Sequence, residues 1–155
     1  MAISRIYDQS ILDDDADVLV IPVTCNAKTP GGEVKAFGER YPGLVSTYLE
    51  LSRKGVIARG RIVVIPANQV QDDGRRIALA GVRKDLDDSP PLYEIRRIAK
   101  YLRQFMQVSG KKSIAFYKMA CRAGELKWDA VRIAIEQQMR LVPDVDVRLY
   151  EQEWV

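Results

Sequence analysis

The chain contains no histidine. That absence removes catalytic triads, histidine metal sites and histidine general bases together. Cysteine is nearly missing as well: Cys25 and Cys121 are the only two, too few for a disulfide framework and too few for a zinc site. A reactive thiol needs an electropositive, accessible setting, and a small buried hydrophobe is the plainer reading of both. No apolar run approaches the roughly 18 residues of a membrane span. The first residues, Met1-Ala-Ile-Ser-Arg-Ile6, lack a signal-peptide pattern, with acids following at Asp13, Asp14 and Asp15. The expected compartment is the cytoplasm, with no membrane partner. An excess of charge of one sign is also lacking. The net of +3 is mild and spread along the chain, which by itself does not suggest nucleic-acid binding and suits a small anionic ligand. Catalysis, if there is any, must use Asp, Glu, Lys, Tyr, Cys or backbone dipoles; no metal and no cofactor is expected.

What is present is an ordinary globular composition, 47% hydrophobic and 29% charged over 155 residues, long enough to bury one core. A single domain over 1–155 is expected. Residues 3–7 alternate as a short edge strand, and 8–15 read as a turn or short helical turn in which the acids are solvated or capping. The run 16–23 is nearly continuous and β-branched, the pattern of a strand covered on both faces, with Pro22 expected to end its pairing. Apolar residues at Val34, Phe37 and Tyr41 predict a helix. Leu44, Val45, Tyr48, Leu49 and Leu51 predict a second. Two strong strands, 61–66 and 76–81, flank the turn Gln71-Asp-Asp-Gly74 and predict a hairpin. The longest amphipathic helix runs from Leu92 to Gly110. A short buried strand at 113–117, a loop at 118–127, a helix from Trp128 to Leu141 and a last strand at 144–150 complete the order. Strands alternating with long helices predict an α/β fold: three layers, α/β/α, around a mixed, mostly six-stranded sheet.

One stretch carries chemistry. Thr24-Cys-Asn-Ala-Lys-Thr-Pro-Gly-Gly-Glu-Val34 lies between a strand and a helix, where backbone N–H groups can face an anion. Gly31 and Gly32 fit such a phosphate loop; a bare turn is the plainer alternative. A second loop, Met119-Ala-Cys-Arg-Ala-Gly-Glu-Leu126, also follows a buried strand and offers Arg122 for bidentate phosphate contact.

At these residues the chain resembles the macro-domain family, nearest the branch that removes ADP-ribose from DNA bases or acidic side chains. The match is carried by Ala16-Asp-Val-Leu-Val20 leading to Cys25, by Gly32 with Phe37 and Arg40-Tyr-Pro-Gly43, by Arg59-Gly-Arg-Ile-Val-Val64, and by Lys112-Ser-Ile-Ala115 with Leu126-Lys-Trp128. The resemblance implies an ADP-ribose cleft between loops 24–33 and 119–126. Its ligand-binding residues would be Ser10, Ile11, Thr24, Asn26, Gly31, Gly32, Glu33, Val34, Cys121, Arg122, Ala123 and Gly124. It also implies ADP-ribosylated protein or nucleic acid as a partner. A lysine after the fourth strand attacks the ribose in this branch; Arg83 aligns there, and arginine cannot be a nucleophile, so the candidate is Lys84 beside it. Glu125 is the candidate general base. Ser10 stands where the family has an acid, Ile21 and Thr24 stand where it has asparagines, and the later loop keeps one glycine. Hydrolysis of ADP-ribose linkages, binding without chemistry, and use of the fold for protein contacts all remain open at this point.

Overall fold

The structure, a computed structural model, describes residues 2–122 and 125–151. Six strands form one sheet: β1 (Ala2–Ile6), β2 (Val18–Thr24), β3 (Ile62–Pro66), β4 (Arg76–Arg83), β5 (Ser113–Tyr117) and β6 (Asp146–Tyr150). Four helices cover it: α1 (Gly32–Arg40), α2 (Leu44–Arg53), α3 (Leu92–Ser109) and α4 (Trp128–Met139). The strand order is β1-β6-β5-β2-β4-β3. All neighbours are parallel except β3 on β4, which is the expected hairpin.

The unbroken apolar strands follow from burial on both faces. In β2, Val18 and Val20 face the core under α3 and α4, while Leu19, Ile21 and Val23 face the core under α1 and α2. β4 repeats the pattern: Ala78, Ala80 and Val82 on the first side, Ile77 and Leu79 on the second. Full burial of each large aliphatic here is worth about 1.5–3 kcal/mol. These two central strands are therefore the most strongly fixed part of the molecule. Gly81 lets another segment cross them closely. A Cβ there would lie 2.2 Å from the Ala58 carbonyl oxygen and 2.9 Å from the Cys25 sulfur.

Two expectations change. Pro22 does not end the pairing of β2, which continues against β4 to Thr24 with a register shift after Val23. The β5 ladder stops at Val20, so the missing proline N–H falls beyond it. The acids at 13–15 are not all solvated either. Asp14 is buried; it accepts hydrogen bonds from the Ala16 N–H (2.6 Å), from Arg148 Nη1 (2.7 Å) and from the Tyr150 hydroxyl. This network ties the segment before β2 to β6, four strands further along the chain. Burial, then the hydrogen bond to the Asp14 carboxylate, push the Tyr150 hydroxyl well above its ordinary pKa.

Candidate functional site

β2 and β4 run parallel and end together, Thr24 opposite Arg83. In open α/β sheets, ligands sit beyond the carboxyl ends of such strands. The ladder continues past both ends: the Cys25 N–H donates to the Arg83 carbonyl (2.8 Å) and the Asn26 N–H to the Lys84 carbonyl (2.9 Å). Helix α2 holds the same loop from below with two side chains one turn apart. Tyr48 donates to the Thr24 carbonyl at 2.5 Å. Ser52 accepts from the Ala27 N–H at 2.9 Å and donates to the Cys25 carbonyl. Burial raises the Tyr48 hydroxyl to about 12, so it stays a donor at neutral pH. The loop 24–27 is thus fixed by backbone on one side and by a tyrosine and a serine on the other.

After this loop, α1 begins without a side-chain cap; Gly31, in extended conformation, is its N-cap. The first N–H groups of a helix have no partner within it, and here they open beside a cavity of about 430 Å³. That volume falls within the roughly 300–1,000 Å³ of small-molecule sites. Thr24, Asn26, Gly31, Glu33 and Val34 line it, together with Pro22, Lys28, Tyr48, Arg83, Asp85 and Leu86. A broader, open depression shares Asn26, Ala27 and Lys28 as its wall and runs along α2 past Ser46 and Arg53.

Arg83, on the cavity wall, is held by a cluster of charge. Arg83 is buried, and its Nη2 donates to both oxygens of Glu125, at 2.8 and 2.9 Å. Glu125 also accepts from the Arg122 N–H (3.0 Å) and Nε (3.3 Å), while Arg122 Nη2 donates to the Leu86 carbonyl (3.0 Å). The loop after β5 is thereby tied to the loop after β4. Burial pushes the Glu125 carboxyl up, but the hydrogen bonds from Arg83 and Arg122 outweigh it, and it titrates below the ordinary carboxylate range. The same loop carries Ala120 at φ 60°, a left-handed conformation that a residue with a Cβ adopts at a cost of roughly 1–2 kcal/mol. Its carbonyl accepts from the Leu126 N–H.

The other sequence candidates lie elsewhere. Lys84 is exposed and does not line the cavity, although Arg83 and Asp85 on either side of it do, and its N–H donates to Asp88 at 2.8 Å. Gly32 is the first residue of α1 and is exposed. Ser10 is exposed and caps the turn Ile11–Asp13 through the Leu12 N–H, while Ile11 is buried in the core under α1 and α2. Cys121 is half-buried, with its thiol donating to the Met119 carbonyl. Burial holds both thiols, Cys25 and Cys121, near 11. Ala123 and Gly124 lie outside the described residues. Among the described residues no cluster of three or more metal-ligating side chains occurs. Sequence reasoning missed Tyr48 and Ser52 as loop anchors, although their spacing of four on a helix puts them on one face. It also ended β4 at Gly81, two residues short of Arg83.

No protein-family model and no curated protein matches the sequence. Solved structures do match. The macrodomain of Mycobacterium tuberculosis DarG superposes with a TM-score of 0.84 at 22% identity, over 97% of this chain and 99% of that one. The macrodomain of Thermus aquaticus DarG gives 0.82 at 20% identity, over 97% and 99%. The chain has the macrodomain fold. Thermosipho africanus DarTG, solved in complex with ADP-ribose, matches 98% of this macrodomain-fold chain with 42% of its own length, at 14% identity and a TM-score of 0.82.

Proposed function

We propose that this macrodomain-fold chain binds ADP-ribose or a related nucleotide in the 430 Å³ cavity, with its phosphates at the start of α1. One observation carries the proposal: an uncapped helix N-terminus opens into a cavity at the paired carboxyl ends of two buried parallel strands. Partial positive charge and free N–H donors at that point favour a phosphate. The neighbour solved with ADP-ribose supports the choice of ligand. Calorimetric titration with ADP-ribose, NAD, ADP and AMP tests it. Saturable binding of the phosphate-bearing ligands is expected; no heat with any of them at millimolar concentration would refute the proposal.

Removal of ADP-ribose from a modified protein or nucleic acid is the second reading. It is favoured by the exposure of Lys84 between the cavity-lining Arg83 and Asp85, with Lys84 attacking the ribose or Glu125 activating water. The depressed carboxyl of Glu125 weighs toward binding, because a carboxylate held low by two guanidiniums is a weaker base. Release of free ADP-ribose from modified DNA or protein, lowered in Lys84→Ala or Glu125→Ala, is the result hydrolysis requires. We place the chain in the cytoplasm on its two free thiols, which a reducing compartment preserves.

A further inference from the structure

We infer that Leu86 is a specificity-determining apolar contact of the cavity, packing on a ring face of the ligand. The inference rests on the nucleotide-binding proposal and deepens it. The start of α1 holds phosphates, and Leu86 selects for what the phosphates are joined to. Leu86 lines the cavity and is 70% exposed. That exposure does not come from an untethered loop. The Leu86 carbonyl accepts from Arg122 Nη2 at 3.0 Å. The Lys84 carbonyl accepts from the Asn26 N–H at 2.9 Å, and the Asp85 carbonyl from the Asp88 N–H at 3.0 Å. Asp88 in turn accepts from the Lys84 N–H at 2.8 Å, and both its oxygens accept from Arg59 Nη1 at 3.0 Å. Segments before β3, after β2 and after β5 therefore hold this stretch of main chain, while one large aliphatic side chain stands in water. Val70, Val108 and Leu141 are exposed as well, and none of them lines the cavity. Pro22, Val23, Pro30 and Val34 line it together with Leu86, so the cavity offers apolar surface beside its N–H groups. A hydrated phosphate gains nothing from aliphatic contact, whereas a sugar or base ring has a face that does. Burial of that surface is favourable in proportion to its area, and a loop held in place beforehand removes the cost of ordering it on binding. The preferred ligand therefore carries a ring next to its phosphates, and bare phosphate or pyrophosphate is a poor substitute.

Calorimetry with ADP and ADP-ribose on the intact chain and its variants tests this. Leu86→Ala should weaken ADP-ribose about 5- to 30-fold, from the aliphatic area lost. Leu86→Asn, similar in size but polar, should weaken it as much, whereas Leu86→Met, which conserves volume and apolar surface, should stay within about twofold. An equal loss for ADP assigns the ring to the nucleoside, and a loss confined to ADP-ribose assigns it to the second ribose; both agree with the inference. Leu141→Ala, an exposed leucine away from the cavity, should leave both affinities unchanged. The melting temperature of the ligand-free chain should not move in any variant, because the side chains removed are exposed. Leu86→Ala binding ADP-ribose as well as the unaltered chain does overturns the inference. So does an equal loss in Leu86→Met, or a lowered melting temperature of ligand-free Leu86→Ala, either of which marks a structural effect on the loop. Absence of binding by the unaltered chain overturns the nucleotide proposal itself, and this inference with it.

Discussion

Replacing Ser52 by alanine removes one hydroxyl and separates two parts of the molecule. Its Oγ accepts from the Ala27 N–H at 2.9 Å and donates to the Cys25 carbonyl. The serine is 7% exposed and Cys25 is 3% exposed, so water does not readily replace the lost donor at that carbonyl. An unsatisfied buried polar group costs about 1–3 kcal/mol. Ala27 is half-buried and lines the cavity, so its N–H regains solvent more readily and adds less. A total near 2 kcal/mol is expected, which for a chain of this size lowers Tm by about 4–8 °C. Urea denaturation should show a lower midpoint with an unchanged m value, because the folded surface is the same. Ser46→Ala is the control. Its hydroxyl is exposed and donates to the Gly43 carbonyl at 3.1 Å, and its loss should cost no more than about 0.5 kcal/mol. The Ser52 variant should also bind ADP-ribose more weakly, since the loop leading into α1 loses an anchor. Equal stabilities for the two serine variants would refute the view that α2 pins this loop.

Acid should act on the Arg83–Glu125 pair. The folded pKa of Glu125 is depressed, so its stabilisation is fully present above the ordinary carboxylate value and is lost as pH falls through the lower, folded value. Glu125→Gln should flatten the stability profile below about pH 4.5; a parallel profile in the two proteins would show that the pair contributes nothing. The thiols offer a separate check. Burial raises both Cys25 and Cys121 to about 11, so at pH 7.5 a disulfide reagent should react slowly with the folded chain and rapidly with both thiols in urea. Fast labelling of the native protein would contradict the burial described.

Local pattern sufficed for the layers and the order of elements, because strands buried on both faces are continuous apolar runs and surface helices are periodic. It also marked residues 24–31 as a loop between a strand and a helix, where Gly31 is the N-cap of α1. What it could not supply was long-range pairing of charge. Arg83 and Glu125 stand 42 positions apart, and each reads as a surface residue in its own neighbourhood. The same holds for Asp14, which sits in an acidic run and is buried only because Arg148 and Tyr150 arrive from the last strand. The end of β4 was misplaced for a related reason. Gly81 looks like a strand terminator, whereas here it marks the close passage of another segment, and the strand goes on to Arg83.

Arg83 closes β4 and holds two loops at once. Its carbonyl accepts from the Cys25 N–H of the first loop, while its guanidinium donates to the Glu125 carboxylate of the loop after β5. The spacing of the two loops is therefore gauged by the span of one strand residue, main chain on one side and side chain on the other. A change in the register of β4 would move both loops together.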